Sequence, residues 1–329
     1  MRLTINSPFD AHLHLREGDM LKTTTRFATR MFAGAVVMPN LSKPIDTFEA
    51  MERYKAQIQE LSRDFEPIVA LFLNEKTEEE IKRHGDRAFT VKLYPRGVTT
   101  NSAGGAVSLD EYGALFGLME ERGDALLVHG ETDGEVLLRE GEFAPIYERL
   151  AKTYPKLKIV MEHISTEVLA NLLDRHKNLY ATITLHHLLF TLDDLLGGRL
   201  NPHLFCKPIV KTAADRAALR RLAFSAHEKT MFGSDSAPHY RGCKERAGAA
   251  AGVFSAPVLL PELTRLFMEH SSAGCLRRFV GQNAKRIYNL NLPHKTVTIE
   301  DAPQTVENEC DGVVPMLFGK RLAYRVAAD

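Results

Sequence analysis

Short apolar runs alternate along the chain with longer segments whose apolar residues recur at helical spacing. This is the pattern of repeated strand–helix units around a parallel sheet. Eight runs read as strands: Leu3–His14, Ala35–Pro39, Ile68–Leu73, Phe89–Tyr94, Ala125–His129, Lys158–His163, Leu179–Thr184 and Thr230–Ser234. Between them, the spacing in Ile45–Leu61, Thr77–His84, Leu109–Glu121, Thr166–His176 and Ala213–His227 predicts helices. Eight such units in one chain predict an α/β fold closed into a (β/α)8 TIM barrel. Pro257–Met268 and Leu276–Tyr288 predict further helices. The segment from Lys295 onward, richer in Thr, Val and Glu, predicts short strands with turns at Cys310-Asp311-Gly312 and Phe318-Gly319. No linker, repeat or low-complexity block interrupts the chain. The expectation is one domain over 1–329, a barrel over about 1–290 carrying a short β-containing extension over about 291–329.

Polar residues gather at one place in this scheme, the C-terminal ends of the strands. His12 and His14 close the first run, Asn40 the second, Lys92 the fourth, His129 the fifth, His163 the sixth and Asp235 the eighth. In a (β/α)8 barrel these ends share a single mouth, where active sites are built. His12 and His14 are one residue apart on an extended segment and therefore point to the same face. Two imidazoles so placed can grip one metal ion. Arg16 follows two positions further on; it cannot be a ligand, and its planar fork of donors suits an anionic substrate.

Lys92 is the one member of this set with the wrong chemistry for a metal site, because an ammonium has no lone pair. Burial and a nearby metal lower a lysine's pKa, and the free amine can then add carbon dioxide to become a carbamate. That product is an anion with two oxygens, able to bridge two metal ions. Two divalent ions carry four positive charges, from which a carbamate, Asp235 and a bridging hydroxide remove three. The remaining charge of about +1 suits an anionic substrate and an acidic bridging water. Singly, Lys92 could snorkel from a strand and Asp235 could cap a helix. Their joint placement at successive strand ends favours the site.

Composition narrows the partners. The 329 residues hold 42 Lys plus Arg against 42 Asp plus Glu, with no basic stripe, which argues against nucleic acid and anionic membrane. The first residues lack a hydrophobic signal segment, and no run of about eighteen apolar residues occurs, so a soluble, cytoplasmic protein is expected. Cys206, Cys243, Cys275 and Cys310 lack CxxC spacing, which argues against a disulfide framework or a cysteine zinc site and reads as reduced thiols. His84, His176, His186, His187, His203, His227, His270 and His294 read as structural or solvated, with His186-His187 the exception to watch because they follow the seventh strand.

The stretches Asp10-Ala11-His12-Leu13-His14-Leu15-Arg16, Val37-Met38-Pro39-Asn40, Lys92-Leu93-Tyr94-Pro95, His129-Gly130-Glu131, Glu162-His163-Ile164 and 233–239 closely resemble class II dihydroorotases, within the amidohydrolase superfamily. The resemblance runs from Pro8 to about Pro257. HxH is shared across the superfamily; Arg16, Asn40 and Thr99-Thr100 are what narrow it. The resemblance implies reversible closure of N-carbamoyl-L-aspartate to L-dihydroorotate with loss of water, a step of pyrimidine synthesis. It implies two zinc ions per chain bridged by N6-carboxylated Lys92, one held with His12, His14 and Asp235, the other with His129 and His163. Asp235 would be the catalytic base and acid. Arg16, Asn40 and His239 would hold the ring carboxylate, with His129, Lys207 and Ala251 as further substrate contacts. Thr99 and Thr100 would belong to a lid loop. Cys206-Lys207-Pro208 departs from the family pattern, which has an apolar residue between the cysteine and the proline. The resemblance also implies a homodimer.

Two other readings compete. A hydantoinase or dihydropyrimidinase uses the same metal cluster, but its substrates lack the ring carboxylate that Arg16, Asn40 and His239 suit. A catalytically silent barrel that supports a partner enzyme should have lost metal ligands, and here all are present.

Overall fold

Backbone pairing trims the predicted runs into short strands. In the computed structural model, which describes residues 2–327 apart from 86, 88, 89, 99, 100, 103 and 107, the strands are β1 Arg2–Asn6, β2 Phe9–Leu13, β3 Gly34–Val37, β4 Glu66–Val69, β5 Leu71–Phe72, β6 Thr90–Leu93, β7 Ala125–Val128, β8 Lys158–Met161, β9 Leu179–Ile183 and β10 Thr230–Phe232. β2, β3 and β4 pair in parallel, as do β5 to β10 in chain order. β4 and β5 share one barrel position, interrupted at Ala70, whose N–H still donates to Val37 O at 3.0 Å. The ring closes between β10 and β2: Asp235 N–H donates to His12 O at 2.8 Å, and His14 N–H to Ser236 O at 3.3 Å. This is the α/β barrel the pattern predicted.

Side chains alternate across each strand with period two. Ala11, Val36, Ala70, Leu127, Val160 and Met231 belong to one buried cluster shared by strands from all round the ring, which places it inside the barrel. Their neighbours Val37, Leu71, Leu126, Val128, Ile159, Met161 and Phe232 belong to the larger cluster between strands and helices. Each fully buried Leu, Ile or Phe there contributes about 1.5–3 kcal/mol. The barrel is therefore filled below, and chemistry is confined to its mouth.

The first run, Leu3–His14, is corrected: it is two strands. Ser7 takes a left-handed backbone (φ 44°) and Pro8 offers no N–H, so the extended segment breaks between them. β1 leaves the barrel and pairs antiparallel with β11 (Thr296–Glu300), setting Leu3 opposite Ile299. β12 (Gln304–Thr305) pairs with β13 (Arg321–Leu322), and β14 (Arg325–Val326) adds to β11. The turn at Cys310 closes through positive φ at Asp311 and Gly312, and that at Phe318 through Gly319.

Several helices differ from the reading above. Gly18–Met31 is a helix that the apolar pattern does not mark, because Thr23, Thr24 and Thr25 occupy buried positions and blur its apolar face. Thr24 is satisfied there by donating to Leu15 O at 2.6 Å. Ala144–Thr153 is a further helix outside the predicted set, with Ala144, Tyr147, Leu150 and Ala151 buried at helical spacing. The stretch Thr166–His176 breaks into Glu167–Ala170 and Leu172–Arg175, and Leu276–Tyr288 passes through a π turn at Arg278–Gln282. Among the described residues no helix is long and apolar enough to cross a membrane.

Candidate metal centre

The turns that leave the barrel strands carry the site, and three of its residues pay a backbone cost. Arg16, His163 and Asp235 have φ of 62°, 40° and 42°, a region that costs roughly 1–3 kcal/mol for side chains other than glycine. Surrounding hydrogen bonds hold two of them in place. The Asp235 N–H is fixed by His12 O, and the His163 N–H donates to Thr182 Oγ1 at 2.6 Å. Asp10 ties the closing strands together, its Oδ1 accepting from His12 N at 3.1 Å and Ser234 N at 2.8 Å. Gly233 makes room for β2: a Cβ there would lie 2.8 Å from that of His12.

Five of the predicted ligands form two groups. His12 Nε2 lies 3.4 Å and His14 Nε2 3.0 Å from Asp235 Oδ1, all three residues buried. Across the mouth, His129 Nδ1 and His163 Nε2 are 3.1 Å apart. In each group a carboxylate holds the outer nitrogen of a ring: Glu162 Oε2 accepts from His12 Nδ1 at 2.5 Å, and Glu131 Oε2 meets His129 Nε2 at 2.7 Å. Glu162 also accepts from Thr182 Oγ1 at 2.6 Å. Such partners fix the tautomer and aim the free nitrogen at a metal. Glu131 and Glu162 carry no role in the reading above; their signal was adjacency to His129 and His163 in the same motifs.

Electrostatics match ligands rather than acids. Burial first, then the charge of Arg16, pushes the His14 imidazole down to about 4 in spite of its hydrogen bond to Asp235. His163 is held well below its ordinary value by burial and by His129, His12 and Lys92. Neutral imidazoles are what a metal requires. Burial would raise the Asp235 carboxyl, but the His14 hydrogen bond and the proximity of His12 and His14 outweigh it and keep the group well below the usual carboxylate range.

Lys92 is fully buried on β6, its Nζ without a hydrogen-bond partner among the described residues and 5.2 Å from the centre of the Tyr94 ring. A lone buried ammonium is costly. Burial pushes its pKa down to about 8, against the raising influence of Glu162 and Asp235. An orphaned, readily deprotonated amine beside imidazoles and carboxylates fits conversion to a carbamate and a site for divalent ions.

In front of these groups lies a pocket lined by His12, His14, Arg16, Asn40, Tyr94, His129, His163, Lys207, Asp235, Ala237, Ala251 and Gly252. Arg16 Nε donates to Pro238 O at 3.1 Å, and its Nη2 lies 3.2 Å from His239 Nε2, which is 3.0 Å from Ala251 O. Burial and the Arg16 charge push His239 down to about 3, so it is neutral. Tyr54 anchors this corner by donating to Arg16 O at 2.6 Å. Gly252 forms a tight wall beside His239, where a Cβ would come within 2.2 Å of Ala237 O and 3.0 Å of His239 Cδ2. The Lys207 side chain reaches across, Nζ donating to Val98 O at 2.5 Å, and Asn101 Nδ2 donates to Asn40 O at 3.1 Å. Thr99 and Thr100 lie outside the described residues.

Comparison with known proteins covers nearly the whole chain. The amidohydrolase family profile matches residues 9–290. A dihydroorotase of Helicobacter hepaticus is 41% identical, covering 98% of this chain and 97% of its own. The crystal structure of a dihydroorotase from Campylobacter jejuni superposes with a TM-score of 0.94 at 45% identity, covering 99% of this chain and 98% of its own. The dihydroorotase of Saccharomyces cerevisiae, solved in complex with 5-fluoroorotic acid, gives 0.93 at 30% identity over 99% and 98% of the two chains.

Proposed function

The chain belongs to the amidohydrolase family and, within it, to the dihydroorotases, and from that premise we propose how its residues divide the work of closing N-carbamoyl-L-aspartate to L-dihydroorotate and of the reverse hydrolysis. His12, His14 and Asp235 would hold one zinc ion and His129 and His163 a second, with N6-carboxylated Lys92 bridging the two. When bound, the pair supplies Lewis acidity and a water that is acidic near neutral pH. The protein's own part is placement and proton transfer. Asp235, kept ionised by His14 and His12, accepts the proton of the attacking water during hydrolysis and delivers it to the departing ring nitrogen. In ring closure it first takes the proton from the carbamoyl nitrogen, so one carboxylate serves as base and then acid.

Arg16, Asn40 and His239 bind the ring carboxylate, Arg16 offering two parallel donors and His239 a neutral ring nitrogen. Ala251 and Lys207 contribute main-chain groups, and His129 borders the ring as well as ligating. Lys207 also ties its own loop to Val98 through its ammonium. The observation that carries this reading is that Arg16 and Asn40 line the same pocket as His12, His14 and Asp235. The yeast relative was solved with 5-fluoroorotic acid, a ring acid of the class this reading assigns to the pocket. The same reading makes the protein a cytoplasmic homodimer of pyrimidine biosynthesis that acts on small molecules and binds neither nucleic acid nor membrane, in keeping with its balanced charge.

Assay of both directions alongside metal analysis tests the assignment. Arg16→Ala should abolish dihydroorotate turnover with zinc content unchanged. Intact turnover in that variant would show that the carboxylate is bound elsewhere.

A further inference from the structure

One buried cation has no part in the reaction as assigned. Lys244 ends the short helix Arg241–Lys244 and is only 3% exposed. Its Nζ directs all three donors at main-chain carbonyls, Phe205 O at 2.9 Å, Ala250 O at 2.9 Å and Gly252 O at 2.7 Å. No carboxylate among the described residues pairs with it, and burial pushes its pKa down to about 8. An ammonium buried without an anion is costly. The outer side of its loop is anchored without it: Arg241 pairs with Glu309 at 2.7 Å, His203 Nε2 lies 2.9 Å from Glu245 Oε1, and Ala250 N–H donates to Cys243 O at 2.9 Å.

The three carbonyls bracket the residues whose main chain the proposed reaction uses. Phe205 O belongs to the peptide that enters Cys206, directly before Lys207, and it also accepts from Gly252 N–H at 2.8 Å. Ala250 O and Gly252 O stand on either side of Ala251. Lys207, Ala251 and Gly252 all line the pocket. A peptide is planar and trans, so holding the Ala250 oxygen turns the Ala251 N–H to the opposite side. That N–H meets no acceptor among the described residues. The Ala251 oxygen lies 3.0 Å from His239 Nε2, which is 3.2 Å from Arg16 Nη2. The Lys244 charge also adds to burial and Arg16 in keeping His239 neutral.

We propose that Lys244 is a positioning residue for the ring-acid substrate, an inference that rests on the reading above of Arg16, His239, Lys207 and Ala251 as substrate contacts. The ammonium holds the two main-chain segments of this wall in register, and through Ala251 it sets the height of the His239 ring. The wall is thus ordered before the ligand arrives, and binding does not have to order it. Lys244 meets main chain and not the reacting atoms. Its loss is therefore felt as weaker binding, with chemistry in the complex preserved.

Lys244→Met, which keeps the length of the side chain and removes its donors, tests this in the holoenzyme. KM for dihydroorotate should rise by roughly ten- to a hundredfold, since a 1 Å misplacement is worth up to about a hundredfold. Metal content should not change, and kcat should stay within about threefold. A role in folding alone would instead lower the active fraction and cut kcat at native KM. Hydrogen exchange of the ligand-free variant should quicken in 203–209 and 249–254 and return to the native level under saturating 5-fluoroorotic acid. A native KM, with or without loss of kcat, overturns the proposal, as does a raised KM with native exchange in those segments. If Lys244→Met does not fold, Lys244→Gln decides on the same measurements, and a native KM there overturns it equally. Arg16→Ala, run alongside, separates the inference from the reading beneath it. Intact turnover in Arg16→Ala removes that reading and the proposal with it, whereas lost turnover there beside a native KM in Lys244→Met overturns the proposal alone.

Discussion

The two halves of the proposed metal centre are built from the same residue type but are not equivalent. The His12, His14 and Asp235 half sits at the seam where β10 meets β2, locked by main-chain hydrogen bonds and containing its own carboxylate 3.0 Å from His14. The His129 and His163 half has two neutral rings 3.1 Å apart, with its nearest named carboxylate, Glu131, turned to the outer nitrogen of His129. The first half balances part of an ion's charge by itself. In the proposed centre the second would depend on the carbamate of Lys92. On the proposed assignment, nature of ligand, rather than number of histidines, would set which half needs the carbamate.

Lys92→Ala is the harshest way to break that comparison. Turnover should vanish, and metal analysis should show the His129 and His163 half emptied while the other half keeps an ion weakly; a small carboxylic acid added in quantity should partly restore both. Two tightly held ions and full activity would remove the bridging role. Asp235→Asn should be the next largest effect, lowering kcat by roughly 10²–10⁴, the usual worth of a positioned acid–base group, in both reaction directions alike. Steady-state rates measured each way would show it.

Smaller changes sharpen the contrast. Glu162→Gln should weaken metal binding at the seam half and Glu131→Gln at the other, each by roughly 10–100-fold, as read by competition with a chelator. Loss of the same ion in both variants would mean that the halves are not separately supported. The mildest test is pH. Lys92 is pushed down to about 8 from 10.5 by burial, so its free amine grows as pH rises through about 8. Bicarbonate-dependent reactivation of metal-free protein should rise over that window and level off above it. Between about 8 and 10.5 the unfolded chain binds the extra proton, so this group makes metal-free protein more stable as pH rises there. Reactivation that stayed low through about pH 8 and rose only towards about 10.5, as for an unburied lysine, would place the amine elsewhere than in a buried site.

Much of this was legible in the sequence because strand periodicity and strand-end polarity are local. His12, His14, Asn40, Lys92, His129, His163 and Asp235 could be set on one mouth by counting runs, and Arg16 by its offset from the HxH pair. What escaped depends on backbone and long-range contacts. The left-handed turns at Arg16, His163 and Asp235 follow from the seam and from Thr182, residues far apart in sequence. Glu131 and Glu162 could be seen beside their histidines, but which nitrogen each would hold could not. The departure of β1 to join β11 rests on Ser7 and Pro8, and Thr23 to Thr25 hid the helix Gly18–Met31. The reach of Lys207 to Val98 depends on a loop contact across 109 positions.

Everything in the proposed centre turns on Lys92 becoming the anion shared by the two halves. Carbon-13 NMR of holoenzyme prepared with labelled bicarbonate tests it most directly, read together with metal content. One labelled carbamate carbon per chain should accompany two metal ions and be absent from Lys92→Ala. Two bound ions with no labelled carbon on the protein would contradict it.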